Sequence, residues 1–116
     1  MELTLKTGFL GLRRVKFRFD LAALKAATVA ARMDLGEFFT SEKLSDDDRL
    51  YFHAYGAWLM DRPVSIKTLT KFDNLYKKLN IKQLNEIKVT KLQSEIISKE
   101  FRAALKKTGD SKKKIS

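Results

Sequence analysis

Apolar and polar residues alternate in two segments near the N-terminus, residues 2–6 and 13–19. The apolar positions are Leu3 and Leu5 in the first segment and Val15, Phe17 and Phe19 in the second. A period of two puts every second side chain on the same face, which is typical of half-buried β-strands. Between the segments, Gly8 and Gly11 permit the left-handed backbone that a hairpin connection requires. The pattern predicts a β-hairpin whose apolar face is covered by the rest of the chain or by a second copy.

From residue 20 onward, apolar residues recur every three or four positions, which is the spacing of amphipathic helices. Residues able to cap a helix N-terminus precede four such segments: Asp20, Asp34, Ser45 and Ser65. The first helix is rich in Ala, so another helix can approach it closely; its predicted apolar stripe is Leu21, Leu24, Thr28 and Ala31. Segment 80–89 fits either a helix or a strand. We expect a final amphipathic helix to restart near Thr90 and to carry Leu92, Ile96, Ile97, Phe101, Ala104 and Leu105.

The helix expected between Ser45 and Met60 has apolar residues almost all round. Such a helix is either central to the fold or shared with a partner. Its aromatic residues Tyr51, Tyr55 and Trp58 fit a core and a partner surface alike, because aromatic side chains are favoured in both places. Both interpretations stay open at the level of sequence.

These elements predict a mainly α protein with a short N-terminal β-hairpin (α+β), arranged as a small helical bundle of about five helices. A chain of 116 residues with 44% hydrophobic residues is long enough and apolar enough for one domain with its own core. We expect that domain to cover residues 1–107, with the hairpin in 1–19 and the helices in 20–107. Residues 108–116 are mostly polar and basic, and we expect a disordered tail there.

Composition excludes several kinds of chemistry. The chain has no Cys and one His, so it can form neither a thiolate nucleophile nor a cluster of Cys or His metal ligands. No apolar run approaches the roughly 18 residues of a membrane span, and no secretory signal pattern opens the chain, so we expect a cytoplasmic protein that does not bind membranes.

The individual motifs that suggest chemistry have simpler structural interpretations. Asp46, Asp47 and Asp48 lack the alternating spacing of a metal loop, and they fit the first turn of a helix, where the helix dipole favours acids. His53 lies within an apolar helix and is expected to be packed there. No phosphate-binding glycine loop or nucleophile elbow is present in the sequence. We therefore expect no enzyme activity, no catalytic residue, no cofactor and no metal.

The net charge of +10 is distributed unevenly. Residues 1–19 and 62–116 are basic, whereas 20–61 are acidic, and this division suits contacts between copies of the chain. One basic stripe recurs at helical spacing after Pro63, namely Lys67, Lys71, Asn74 and Lys78. It fits either a solvated helix face or the reading helix of a helix-turn-helix-like DNA-binding regulator.

The segment KFRFDLAALKAATVAARMDLGEFF resembles the opening of tail assembly chaperones from long-tailed bacteriophages. In that family a strand ending in an aromatic-Asp pair leads into an Ala/Leu helix and a Gly-containing break before further helices. The resemblance covers residues 13–60 best, and the small size and Lys-rich C-terminus are also similar. It implies a non-enzymatic, ATP-independent chaperone that coats the helical tape measure protein and recruits tail tube protein in the cytoplasm of the bacterial host.

Such a chaperone needs apolar grooves for amphipathic helices and self-association into a homo-oligomer. The residues expected to contact client proteins are Phe38, Phe39, Tyr51, Tyr55, Trp58 and Leu59. For self-association, we expect the basic strand face of one copy to meet the acidic turn of the next: Arg14, Lys16 and Arg18 against Asp46, Asp47 and Asp48. The alternatives are the DNA-binding regulator and a structural connector protein of the virion.

Overall fold

A two-stranded antiparallel hairpin forms the N-terminus. In the computed structural model, which describes residues 1–97, β1 (Glu2–Thr7) pairs with β2 (Arg13–Arg18). A short 3-10 turn, Phe9–Gly11, connects them, and both Gly8 and Gly11 have positive φ. The hairpin prediction is therefore confirmed. Both ends of each strand lie within one residue of their predicted positions.

Five helices follow the hairpin within residues 1–97. They are α1 (Leu21–Ala31), α2 (Leu35–Thr40), α3 (Asp46–Leu59), α4 (Ile66–Tyr76) and α5, whose described part covers residues 81–97. The protein is thus mainly α with a short N-terminal hairpin, as predicted. The expected tail at 108–116, and Phe101, Ala104 and Leu105 of the expected final helix, lie outside the described residues.

Side-chain caps decide where the helices begin. The backbone N–H of Ala23 donates to Asp20 Oδ1 at 2.8 Å, and Ser45 and Asp48 form a reciprocal capping box. At α2, the backbone N–H of Glu37 donates to Asp34 Oδ1 at 2.8 Å. This hydrogen bond lowers the pKa of Asp34, because it stabilises the charged carboxylate. The caps predicted from sequence are confirmed, including Ser65, which accepts from the N–H of Thr68.

The prediction of a restart near Thr90 is wrong, because α5 is continuous through that residue. The helix begins after Asn80, whose Oδ1 accepts the N–H of Gln83 at 2.8 Å, while the Gln83 side chain accepts the N–H of Asn80 at 2.9 Å. This reciprocal cap also settles segment 80–89 as helix.

α1 packs against α3 through small residues. The buried side chains of α1 are Ala23, Leu24, Ala27 and Thr28. Leu21, which the sequence pattern placed on the buried stripe, is 59% exposed, so the predicted stripe is wrong at that position. The closest approach is at Gly56 of α3, where an added Cβ would overlap the backbone of Ala23. The expectation that a second helix approaches α1 closely is confirmed, and the shift of the buried face towards Ala23 and Ala27 follows from this contact.

Candidate functional site

Tyr51, Tyr55 and Trp58 of α3 face inward onto α4. The ring of Phe72 lies 5.4–5.6 Å, centroid to centroid, from the rings of Tyr51, Tyr55 and Trp58. The hydroxyl of Tyr51 donates to Asp73 Oδ1 at 3.1 Å. Burial, followed by this hydrogen bond, raises the pKa of Tyr51 to about 12, so the phenol is protonated at neutral pH. The cluster fastens α3 to α4.

Most of the residues expected to contact client proteins are therefore core residues. Phe38, Tyr55, Trp58 and Leu59 are buried and Tyr51 is half-buried. Of the six, only Phe39 is exposed, at 37%. This placement corrects the expectation of an exposed docking surface, since a buried side chain has no face to offer a partner. Between the two interpretations of the α3 aromatics, the core is the one observed.

The apolar residues that do lie at the surface form a stripe on α5. Its members are Ile81, Val89, Leu92 and Ile96, which are 45–79% exposed. At 3.6 residues per turn they span an arc of roughly 80°, facing away from the buried Ile87. We call these four residues the α5 stripe. The sequence analysis placed Leu92 and Ile96 on the predicted final amphipathic helix and missed Ile81 and Val89. The available signal was the presence of apolar residues on two faces of residues 81–97.

Two depressions border the α5 stripe. Leu3 of β1 lies beside Ile81 and Val89 in a wide hollow of about 680 Å³. Phe39 of α2 lies beside Leu92 in a smaller depression of about 330 Å³, which also contains charged residues of α3 and α5. The stripe is thus continuous with apolar groups from the hairpin and from α2, and one of them, Phe39, belongs to the predicted client-binding set.

The residues expected to mediate self-association are not equally accessible. Arg14 and Lys16 are exposed, but Arg18 is engaged within the chain, 2.8 Å from Asp20 and 3.1 Å from Asp61. Of the three acids on the first turn of α3, Asp48 accepts the N–H of Ser45, Asp46 lies 3.5 Å from Arg49, and Asp47 is exposed. Self-association through these groups stays a prediction, carried by Arg14, Lys16 and Asp47.

A basic cleft of about 1070 Å³ separates the tip of the hairpin from α4 and the start of α5. Its charged lining residues are Lys6, Arg13, Arg14, Lys71 and Lys78, and none of the described residues that line it is acidic. None of these five cations forms an ion pair within residues 1–97. Phe9, 83% exposed, lines the cleft at the hairpin tip, and Trp58 contributes to its apolar wall.

The basic cleft contains three of the four residues of the predicted Lys stripe. Lys71, Asn74 and Lys78 line it, whereas Lys67 is exposed outside it. Sequence reasoning missed Lys6, Arg13 and Phe9 as parts of the same site, because about 60 residues of chain separate them from α4.

His53 is the one buried imidazole, and it is neutral. Its ring packs edge-on against Phe19, with centroids 5.2 Å apart, and its Nδ1 has no hydrogen-bond partner in the described part of the chain. Glu95 Oε1 lies 3.9 Å from Nδ1, but that carboxylate is paired with Lys91 Nζ at 2.6 Å. Burial, aided by the charge of Lys91, lowers the pKa of His53 to about 4. The packed role expected for His53 agrees with this environment.

The buried imidazole predicts a loss of stability in mild acid. At and above pH 7.5 His53 is essentially neutral in the folded and in the unfolded chain. Below its ordinary pKa of 6.5 the unfolded chain binds a proton that the folded protein resists down to about pH 4. The free energy of unfolding should therefore fall by about 2 to 3 kcal/mol between pH 7.5 and 4.5 from this group alone. Urea unfolding at the two pH values measures it.

The carboxylates also titrate in this interval, so a variant without the imidazole is needed. In His53→Leu the carboxylates remain and the imidazole is gone, and the difference between the two proteins isolates His53. An equal loss of stability in both proteins would contradict a buried neutral imidazole.

Within residues 1–97, no helix is long and apolar enough to cross a membrane, and no group of three or more His, Asp or Glu side chains is placed to hold a metal ion. Two surfaces in this part of the chain bring together apolar or basic groups, the α5 stripe and the basic cleft. The chain matches no protein-family model, no curated protein and no solved structure, so its resemblance to tail assembly chaperones stays a prediction.

Proposed function

We propose that this protein is a non-enzymatic tail assembly chaperone that binds amphipathic helices of other proteins on the α5 stripe. The observation that carries the proposal is the exposure of four apolar side chains along one face of α5. Such a patch on a small protein marks an interaction surface. Val89, Leu92 and Ile96 follow the three-four spacing by which one helix packs along another.

Apolar burial supplies the affinity of this surface. Full burial of one Leu, Ile or Val side chain contributes about 1.5 to 3 kcal/mol, so the four residues of the α5 stripe together contribute at most roughly 6 to 12 kcal/mol, from which the cost of association is subtracted. Phe39 and Leu3 extend the apolar area at the two borders of the stripe. The client that fits is an amphipathic helix whose apolar face is at least four turns long.

The resemblance of residues 13–60 to tail assembly chaperones supports the identity of the clients. On this proposal they are the tape measure protein, which is long and helical, and the tail tube protein, which is recruited to it in the cytoplasm of the bacterial host. Coating a long client requires many copies, and the exposed Arg14, Lys16 and Asp47 support a homo-oligomer of moderate affinity, in which charge sets orientation.

Co-expression with the tape measure protein proposed as its client tests the proposal. The wild-type chain should keep the client in the soluble fraction and bind it in size-exclusion chromatography. Leu92→Glu/Ile96→Glu should weaken binding at least about 100-fold, because two apolar contacts are lost and two charges would have to be buried.

The matched control changes two apolar residues that are exposed elsewhere. Leu21→Glu/Val29→Glu on α1 introduces the same charge at residues of similar exposure, 59% and 62%, and should bind the client like wild type. Equal binding by both double variants, or a client that stays insoluble with wild type, would refute the proposal. Presence of the protein in purified virions would favour the structural connector instead, since a chaperone leaves the finished particle.

A further inference from the structure

The second binding surface of the molecule is independent of the α5 stripe. The basic cleft brings five cations from two distant parts of the chain around one space, and the described residues add no acid to its lining. Cations held close together repel one another, so such a cluster is stabilised by a bound anion. The lining also includes an exposed aromatic ring, Phe9, which a simple anion does not need.

We propose that the basic cleft binds single-stranded nucleic acid. Phosphates lie against Lys6, Arg13 and Arg14 of the hairpin and against Lys71 and Lys78 on the opposite wall, and a base stacks on Phe9. A positively charged groove combined with an aromatic platform is how proteins bind single strands without sequence preference. This inference does not rest on the proposed chaperone function.

The shape of the cleft favours a single strand over a duplex. A reading helix must protrude to enter the major groove, which is about 12 Å wide. Here the basic face of α4 forms one wall of a cleft, and the hairpin tip forms the other. Lys71 and Lys78 are thus on the inside of the cleft, where an isolated strand can enter. The helix-turn-helix interpretation of the Lys stripe does not account for this arrangement.

The exposed ring of Phe9 favours nucleic acid over an acidic protein segment. Gly8 and Leu10, on either side of Phe9, have positive φ angles of 78° and 58°. This backbone conformation presents the side chains of Phe9 and Leu10 to solvent. A polyglutamate chain would pair with the five cations but has no flat group to stack on the ring. A base has a π-face, and stacking is worth about a tenfold change in affinity per base.

Binding is measured by titrating the full chain with fluorescein-labelled oligo(dT) and oligo(U) 15-mers. Because Trp58 is the single Trp and belongs to the lining of the cleft, a change in its fluorescence is a second readout of occupancy. With five phosphate contacts, the slope of log affinity against log salt should be about −3.5, a loss of roughly 100-fold between 50 and 200 mM salt. Binding of either oligonucleotide supports the proposal, and the tighter one identifies the preferred sugar.

Matched variants separate the cleft from the general positive charge. Lys71→Glu/Lys78→Glu should weaken oligo(dT) binding at least about 30-fold. The control Lys25→Glu/Lys43→Glu makes the same change in net charge at exposed sites outside the cleft, and it should weaken binding less than about threefold. Lys67→Glu, one turn before Lys71 on α4, should behave like that control. Phe9→Ala should weaken oligo(dT) about tenfold and leave polyglutamate binding unchanged.

Three results would overturn the proposal. They are equal losses in the cleft and control double variants, polyglutamate binding as tight as that of oligo(dT), and tighter binding of a 15-base-pair duplex than of the single strand. The α5 variant Leu92→Glu/Ile96→Glu should bind oligo(dT) like the control double variant, so failure of the chaperone proposal and failure of this one are told apart.

Discussion

Replacing Gly56 by Ala should destabilise the protein by about 3 kcal/mol or more, the largest effect expected from adding a single methyl group. The new Cβ would overlap the carbonyl oxygen of Ala23 and lie 3.0 Å from its carbonyl carbon and 3.1 Å from the N of Ala27. These are backbone atoms of α1, so no side-chain rotation can relieve the overlap and the two helices must move apart. Urea unfolding followed by Trp58 fluorescence measures the loss.

Gly36→Ala is the matched control. Gly36 also lies in a helix, but its added Cβ would meet only the Asp34 carboxylate, at an ordinary 3.5 Å. Because Ala is the better helix former, this variant should be unchanged or up to about 1 kcal/mol more stable. If both Gly→Ala variants have the stability of wild type, the close packing of α1 on α3 at Gly56 is not what holds these helices together.

Features decided by neighbours in the chain could be predicted from sequence. A helix cap joins a side chain to a backbone group three residues away, so Asp20, Asp34, Ser45 and Ser65 could be identified without knowledge of the fold. The hairpin could be predicted for the same reason, from alternation and two glycines. Asn80 with Gln83 follows the capping rule too, but the absence of a strong apolar period around it hid the start of α5.

Features decided by packing between distant segments could not be predicted from sequence. Tyr55 and Trp58 are buried because Phe72 of α4 packs over them, and the sequence of α3 contains no information about that contact. The buried face of α1 depends on Gly56, whose meaning is clear only when the partner helix is known. A glycine in the middle of a helix with apolar residues almost all round was the available signal, since glycine weakens a helix interior unless close packing requires it.

The two binding surfaces illustrate the same division. The Lys stripe could be recognised in the sequence from its helical period. The basic cleft could not, because it forms only where the hairpin tip faces α4. Gln83 Nε2 of α5 donates to the carbonyl oxygen of Lys6 at 2.7 Å and so joins the hairpin to the helices. The α5 stripe could be recognised as surface only after Ile87 was seen to face the core.

Phe72→Ala should lower the free energy of unfolding by about 3 to 5 kcal/mol, a large part of the stability of a domain of this size. The ring is fully buried and contacts Tyr76 as well as Tyr51, Tyr55 and Trp58 of α3. Its removal leaves a cavity between α3 and α4. The remaining links include the ring contact between Tyr51 and Tyr76, with centroids 5.0 Å apart, and the hydrogen bond between Tyr55 and Thr68, at 2.7 Å. Because α4 is one wall of the basic cleft, oligo(dT) affinity should fall as well.

Phe9→Ala removes the same atoms from an exposed position and separates stability from binding. Phe9 belongs to no buried cluster and is 83% exposed, so its loss should change the free energy of unfolding by less than about 0.5 kcal/mol. Its oligo(dT) affinity should nevertheless fall about tenfold, because the stacking platform is gone. Phe72→Ala should therefore lose both stability and oligo(dT) binding, whereas Phe9→Ala should lose only oligo(dT) binding. A Phe9→Ala protein that unfolds as easily as Phe72→Ala would mean that the hairpin tip is part of the core and that its ring is not free to stack on a base.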